Sequence, residues 1–275
     1  MKIIEISDAE MQSLTESILV RHGIDFTCYE PKSLKRRIKR VISNLNLSSV
    51  HDLWVRFLRD QDFVHAFMNQ VSVGMTSMFR DPVLWHNFKQ RLQSEYLFKK
   101  TVDVWHAGCS TGEEVFSFGI LLSELRMSHK VKAIATDFSQ ESLATAQSGV
   151  YHKIKMIDNE KNYREYNAQG DFESYYQRDV NECIMDDSLI KHVDFFYHNL
   201  ITNEVPAPGS FDIIFCRNVL IYFDNRAKER VIESFYQSLK PGGYFIVGFF
   251  DTIGHLLDRS KFELVDQEAK IFRKI

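Results

Sequence analysis

The first ninety residues carry apolar positions at helical spacing, and none of their segments alternates like a strand. Ser7 and Glu10 have the spacing of a capping box, which predicts a first helix that reaches about Arg21. Shorter helical patterns cover residues 51–59 and 62–69. We therefore expect an all-helical N-terminal domain over residues 1–90.

A second predicted helix, which begins at Pro31, separates apolar from basic side chains. Its apolar stripe consists of Leu34, Ile38, Val41, Ile42 and Leu45. The opposite side is predicted to carry Lys32, Lys35, Arg36, Lys39 and Arg40, and Arg37 completes a set of six cations with no acid among them. Such a run is typical of a solvated helix face, but it also suits docking to an acidic helical partner or to anionic lipid.

Beyond about residue 101, short apolar runs alternate with amphipathic stretches. Strands are predicted at 102–106, 131–136, 193–198, 211–216, 244–250 and 271–273, and helices near 113–126, 140–147 and 225–239. Apolar strands joined by helices indicate an α/β fold, with a mostly parallel Rossmann-like sheet covered by helices on both faces. This domain spans residues 91–275, and its polar, Tyr-rich segment 151–192 is predicted to be a small inserted subdomain.

Composition and charge exclude several classes of protein. The 275 residues are 44% hydrophobic and carry a net charge of -3, which argues against a protein built to bind nucleic acid. The charge is uneven, because residues 1–80 hold 11 Lys and Arg against 9 Asp and Glu, whereas the remainder holds 23 against 28. The four cysteines are far apart and no HExxH motif occurs, so we expect neither a disulfide framework nor a metal. The N-terminus does not resemble a signal peptide and no apolar run approaches the length of a membrane span, which predicts a cytoplasmic protein without stable membrane insertion.

A loop with two glycines follows the first predicted strand of the α/β domain. Gly108 and Gly112 are separated by three residues, so the GxGxxG pattern that cradles a pyrophosphate is absent. The next predicted strand ends at Asp137, where a carboxylate can accept both hydroxyls of a ribose. A ribose-binding acid without a pyrophosphate loop favours S-adenosylmethionine (SAM) over NAD. In the alternative interpretation, the glycines only permit a turn and Asp137 caps the next helix.

A second polar group follows the buried strand at 211–216. Arg217 and Asn218 come directly after it, and binding groups of α/β proteins gather at the carboxyl edge of the sheet. Tyr222 is close enough along the chain to offer its hydroxyl to a substrate. Alternatively, its ring simply packs beneath the following helix.

Three segments together resemble a known family of enzymes. The runs Ala107–Glu114 with Ser117, Phe211–Asp224 and Thr76–Asp81 are similar to the chemotaxis receptor methyltransferases, the CheR family, and the likeness covers nearly the whole chain. The resemblance implies methyl transfer from SAM to glutamate side chains of chemoreceptors, which leaves a methyl ester and S-adenosylhomocysteine. It also implies docking through the basic helix and a β-subdomain at 151–192. We expect the protein to be a monomer that is recruited to receptor arrays.

The resemblance implies a role for individual residues. The cofactor-binding positions are Thr76, Arg80, Gly108, Glu114, Asp137, Asn199, Leu200, Arg217 and Asn218. Glu114 matches the acid that holds the methionine ammonium, and Asn199-Leu200 matches the pair beside the adenine. Arg80 and Tyr222 match the residues nearest the transferred methyl, and we expect both to be catalytic.

The chain departs from the family pattern at several positions. Gly74 replaces a usual Asn, Met78 replaces an aromatic residue, and Phe249-Phe250-Asp251 stands where the family has His-Ser-Glu. The loss of an Asn side chain at Gly74 predicts weaker SAM binding, and it favours one alternative function, a non-catalytic SAM-binding signalling or scaffold module. In some family members the subdomain binds a receptor tail peptide, but the residues at 151–192 do not support that function here.

Overall fold

The computed structural model of the protein describes residues 5–60, 63, 67, 76–202 and 209–275. The chain forms two compact units, one of residues 1–73 with 221–231, the other of residues 74–220 with 232–275. Most of the predicted helix at 62–69, and Gly74, lie outside the described residues.

The smaller unit contains three helices in its described N-terminal part. They are α1 (Asp8–His22), α2 (Pro31–Asn44) and α3 (Val50–Arg59). The capping box of α1 is confirmed, since the Ser7 amide donates to the Glu10 carboxylate over 2.8 Å and the Glu10 amide donates to the Ser7 hydroxyl over 3.2 Å. Glu30 caps α2 and Ser49 caps α3, each with its side-chain oxygen.

One of the six basic residues of α2 is buried. Arg37 is only 3% exposed and shares the buried face with Leu34, Ile38 and Val41. The reason is the helical period, which places position 37 three residues after Leu34 and four before Val41, on the same face. Arg37 is therefore not an exposed cation of α2, and its burial speaks against the predicted role in docking.

The larger unit is built on a seven-stranded sheet. Its strands are β1 (Val102–Ala107), β2 (Val131–Asp137), β6 (Val193–Tyr197), β7 (Phe211–Cys216), β8 (Leu239–Val247), β9 (Phe262–Asp266) and β10 (Ile271–Lys274). They lie in the order β6-β2-β1-β7-β8-β10-β9. The first five are parallel, and β10 runs antiparallel to both of its neighbours. This confirms the predicted mostly parallel α/β sheet.

The helices of this unit are α4 (Pro82–Arg91), α5 (Glu113–Glu124), α6 (Gln140–Ser148) and α7 (Lys153–Tyr166), while α8 (Asn225–Ser238) continues from the smaller unit into it. The side chains that α4 buries, among them Trp85 and Phe88, belong to the core of the larger unit, where Trp85 stacks on Phe215. The units consequently divide at 73/74, earlier than the predicted boundary near residue 90.

The segment 151–192 contributes a second, smaller sheet. Its strands, β3 (Val150–His152), β4 (Tyr176–Arg178) and β5 (Glu182–Met185), are antiparallel in the order β3-β5-β4. Two other expectations need adjusting. The predicted strand 244–250 begins at Leu239 and ends at Val247, and β9 was missed because a short, half-exposed edge strand has little apolar pattern.

Among the described residues, no helix combines the length and apolar character needed to cross a membrane.

Candidate active site

Four predicted site residues lie at the carboxyl ends of parallel strands, and Gly248, which was not predicted, lies at the end of a fifth. In sheet order, Asn199 follows β6, Asp137 ends β2, Gly108 follows β1, Arg217 follows β7 and Gly248 follows β8. The carboxyl ends of parallel strands meet at one edge of a sheet, where α/β proteins bind their ligands. The fold therefore brings segments that are distant in sequence to a common edge.

The loop after β1 requires glycine for a steric reason. Gly108 has a φ of 77°, and a Cβ atom there would lie 2.5 Å from a methyl group of Val219. The backbone amides of Gly108 and Cys109 both donate to the carbonyl of Thr136, over 2.8 and 2.9 Å. The loop is thus fixed against the end of β2 and packs closely on the segment that follows β7.

Asp137 links the loops that follow β1 and β2. Its carboxylate accepts the backbone amides of Ser110 over 2.8 Å and Ser139 over 2.9 Å, one on each oxygen. Burial raises the pKa of this carboxyl, and the two hydrogen bonds oppose the rise. Each oxygen retains acceptor capacity, so these contacts are compatible with a ribose contact, which remains a prediction.

Glu114 lies in the first turn of α5 and is held by two partners. His106 Nδ1 lies 2.9 Å from its Oε1, and Arg217 Nη1 lies 3.2 Å from its Oε2. Burial opposes ionisation of Glu114, but the hydrogen bond from His106 and the charge of Arg217 outweigh it, so the pKa of this carboxyl lies below its usual value. Glu114 therefore presents a negative charge suited to an ammonium group.

Arg217 joins Glu114 to the segment that carries Arg80. Its Nη2 donates to the Arg80 carbonyl over 2.7 Å and to the Asp81 carboxylate over 2.8 Å. Its side chain is 3% exposed, so the guanidinium is a buried charge balanced by two carboxylates. The resemblance gave Arg217 a contact with the cofactor, and the structure adds a connection between α5 and the segment before α4.

The segment Thr76–Asp81 is anchored by α5 and by the inserted helix α7. The Phe79 amide donates to the Ser117 hydroxyl over 2.8 Å, and the Met78 amide donates to the Asn159 side-chain oxygen over 2.9 Å. Asn162 donates to the Met78 carbonyl, also over 2.9 Å. Met78 is fully buried, so it fills the position where the family has an aromatic residue. Thr76 and Arg80 are half-buried.

Asn218 combines a strained backbone with an unsatisfied side chain. Its φ is 59°, and its backbone amide donates to Asp251 over 2.5 Å. The same Asp251 oxygen accepts the Gly248 amide over 2.9 Å. The sequence alone left the substituted Phe249-Phe250-Asp251 edge in doubt, but Asp251 is 4% exposed and fixes the ends of β7 and β8.

The side-chain nitrogen of Asn218 is buried and has no hydrogen-bond partner in the part of the chain that the structure describes. Such a buried donor at the end of a strand is suited to a polar ligand. The residues present thus fit a cofactor with an amino acid group.

Asn199 and Leu200 are half-buried at the end of β6. The Asn199 side-chain oxygen accepts the Ile201 amide over 3.0 Å and thereby stabilises its own turn. Their predicted place beside an adenine stays a prediction.

Tyr222 belongs to the smaller unit. The Arg37 guanidinium lies 3.8 Å from the centre of the Tyr222 ring. The Tyr222 carbonyl accepts the Glu30 amide over 2.9 Å. Burial lowers the pKa of Arg37, and contact with Tyr222 opposes the decrease. The neighbouring Phe223 is buried, whereas Tyr222 keeps part of its surface exposed. The proposed catalytic role of Tyr222 stays a prediction.

The remaining basic residues of α2 differ in exposure. Lys32, Arg36 and Arg40 are exposed, whereas Lys35 and Lys39 are half-buried. Lys35 forms an ion pair of 2.5 Å with Asp8 of α1. The exposed cations of α2 are therefore Lys32, Arg36 and Arg40.

Sequence reasoning missed His106, Asp81 and Asp251. Each of them forms a hydrogen bond to a predicted site residue. Asp81 follows Arg80 directly, so its place in the motif was the available signal. Neither His106, inside an apolar strand, nor Asp251, in a segment unlike the family, carried a comparable signal. In the ranges that the structure covers, no three His, Cys, Asp or Glu side chains are grouped to hold a metal ion.

Comparison with known proteins shows the family of the chain. The model of the CheR methyltransferase SAM-binding domain matches residues 74–271, and that of the CheR all-alpha domain matches residues 9–72. A Pseudomonas putida protein named Cher3 is 32% identical over 268 residues, 98% of this chain and 97% of that one. The chemotaxis protein methyltransferase of Borreliella burgdorferi is 33% identical over 91% of this chain and 90% of its own. That of Escherichia coli is 28% identical over 91% and 87%.

The matches cover both compact units, and the larger one carries the Glu114, Arg217 and Asn218 arrangement expected of a cofactor site. The chain belongs to the CheR methyltransferase family, and residues 74–271 are its SAM-binding methyltransferase domain.

Proposed function

We propose that this protein transfers a methyl group from SAM to glutamate side chains of chemoreceptors and so contributes to chemotactic adaptation. The products are a glutamate methyl ester and S-adenosylhomocysteine. The observation that carries the proposal is the network in which Arg217 joins Glu114, Asp81 and the Arg80 carbonyl. It links a carboxylate suited to the cofactor's ammonium with the segment that carries the proposed catalytic arginine.

The residue types suit a carboxylate as methyl acceptor. SAM supplies an electrophilic methyl group. A glutamate has a pKa near 4.3, so at neutral pH the acceptor is ionised and needs no general base. The protein's contribution is then to align the acceptor, which can contribute roughly 7–11 kcal/mol, and to exclude water from a reaction that neutralises two charges.

Arg80 and Tyr222 are proposed to orient the acceptor carboxylate. Arg217 holds the Arg80 carbonyl, so the backbone of Arg80 is fixed while its side chain serves the substrate. A very tight ion pair between Arg80 and the acceptor in the ground state would lower the reactivity of the carboxylate. We therefore propose that Arg80 contributes to orientation and charge balance, with the Tyr222 hydroxyl as the second contact.

The exposed cations of α2 are proposed to dock the protein on an acidic helical region of a receptor. Lys32, Arg36 and Arg40 are free to act in this way because their side chains face water. Arg37 is withdrawn from the set because it is buried against Tyr222. In this proposal a monomer is recruited to receptor arrays by electrostatic attraction that weakens with salt.

The test is a methylation assay with tritiated SAM and receptor-containing membranes, scored as methanol released by base. The wild type should give base-labile label, and Arg80→Ala should lose most of it while S-adenosylhomocysteine still binds measurably. Arg164→Ala, which removes an exposed arginine paired with Glu160, is the matched control and should retain activity. Cofactor binding without base-labile label in the wild type would overturn the proposal and favour the non-catalytic scaffold.

A further inference from the structure

His106 is a polar side chain inside β1, the middle one of the five parallel strands. It is fully buried, and its ring stacks on Phe215 with a centroid distance of 4.8 Å and an interplanar angle of 1°. Phe118 lies on another side at 5.5 Å. Burying a histidine among aromatic rings costs free energy unless its ring nitrogens form hydrogen bonds.

The two ring nitrogens of His106 differ in their hydrogen bonding. Nδ1 lies 2.9 Å from Glu114 Oε1, whereas Nε2 has no hydrogen-bond partner among residues that the structure describes. The ionised Glu114 can only accept, so Nδ1 must carry the proton. A bare Nε2 lone pair costs less in apolar surroundings than an N–H without an acceptor, which favours the neutral Nδ1–H tautomer.

His192 is a titratable neighbour of His106. Burial, and then the proximity of His106, lower the pKa of His192 to about 4, so His192 is uncharged at neutral pH. The second partner of Glu114 is Arg217, whose guanidinium also pairs with Asp81. The carboxylate therefore keeps negative charge for a ligand.

We infer that His106 is a positioning residue, which holds the Glu114 carboxylate in place for the amino group of the cofactor. The hydrogen bonds from His106 and Arg217 fix both oxygens of Glu114, so the carboxylate is already oriented before the ligand binds. A ligand then loses less free energy in ordering the site. The inference rests on the proposed function, because it takes Glu114 as the ammonium-binding acid.

The experiment compares two ligands and a matched pair of variants by calorimetry. S-adenosylhomocysteine carries the amino acid group, whereas methylthioadenosine keeps the adenosine and the thioether but lacks that group. His106→Leu removes the donor with little change of size, and His106→Asn retains an N–H at the position of Nδ1. Glu114→Gln serves as the reference for a weakened ammonium contact.

We expect His106→Leu to weaken S-adenosylhomocysteine binding by about tenfold or more, as for loss of a hydrogen bond to a charged group, and to leave methylthioadenosine binding unchanged. His106→Asn should restore most of the affinity. Equal losses for both ligands would indicate general damage to the fold and overturn the inference, as would wild-type affinity in His106→Leu. If Glu114→Gln also keeps wild-type affinity, the assignment of Glu114 in the proposed function fails as well.

A second measurement does not depend on the variants folding. The nitrogen NMR spectrum of the wild-type histidines should show His106 as the Nδ1–H tautomer. An Nε2–H tautomer would overturn the inference, because Nδ1 could then donate nothing to Glu114.

Discussion

Asp251 offers the sharpest test of how the edge of the site is held. One oxygen of its carboxylate accepts two backbone amides, those of Asn218 and Gly248. Asp251→Ala removes the acceptor from both. Asp251→Asn retains a carbonyl oxygen that can accept both amides, but it loses the charge.

The expected cost follows from these two hydrogen bonds. A hydrogen bond to a charged group contributes about 1.5–3 kcal/mol, and an amide that can reach water loses less. The Asn218 amide is only partly buried, so we expect Asp251→Ala to reduce the free energy of unfolding of the larger unit by about 2–4 kcal/mol. Asp251→Asn should cost roughly half as much, because neutral hydrogen bonds are about half as strong as charged ones.

The assay is thermal and urea unfolding, together with calorimetric titration of S-adenosylhomocysteine. The alanine variant should lower Tm by roughly 5–15 °C for a domain of this size. It should also weaken the binding of S-adenosylhomocysteine, because the strained backbone of Asn218 loses its hydrogen bond to Asp251. Phe250→Ala is the control, since its ring is 61% exposed on the same loop and its removal should change stability by about 0.5 kcal/mol or less. If Asp251→Ala is as stable as Phe250→Ala, the reasoning is refuted.

Three further predictions concern stability and docking. The pKa of Glu114 is lowered in the fold, so the stability that the ionised Glu114 contributes should be present above pH 4.5 and lost as the pH falls through the lowered pKa. The Tm values of the wild type and Glu114→Gln should therefore converge in acid. A Tm difference that stays constant with pH would contradict this. Gly108→Ala should destabilise the fold more than Gly209→Ala. Both glycines have positive φ, but only the methyl group added at position 108 would collide with a neighbouring side chain. Equal urea midpoints of the two variants would contradict this steric argument. Arg36→Glu should reduce receptor methylation at unchanged Tm, whereas Arg37→Glu should lower Tm itself; the reverse pattern would restore Arg37 to the docking surface.

Much of the fold could be predicted because its signals are local. The capping box at Ser7 and Glu10 joins residues three apart, and it is present as predicted. Apolar strands are recognisable one at a time, and parallel strands place their carboxyl ends at a common edge, so Asp137 and Arg217 could be assigned to the same edge of the sheet from chain order.

The division between the units could not be predicted in the same way. Helix α4 has the periodicity of any other helix, and nothing in its own sequence says which core it joins. Its assignment depends on Trp85 meeting Phe215, 130 positions further along the chain. Element type is a local property, whereas membership of a core is not.

By itself, the sequence determined the helices, the parallel strands, the family and the residues that meet at the carboxyl edge. The tertiary structure decided which charges are buried and which partners they have. In the structure Arg37 is buried, His106 contacts Glu114, and Asp251 accepts a backbone amide at an edge whose sequence differs from that of the family. The physical reason is that a hydrogen bond or a buried charge is defined by atoms a few ångströms apart in space, and the period of a helix or strand does not encode those distances between remote segments.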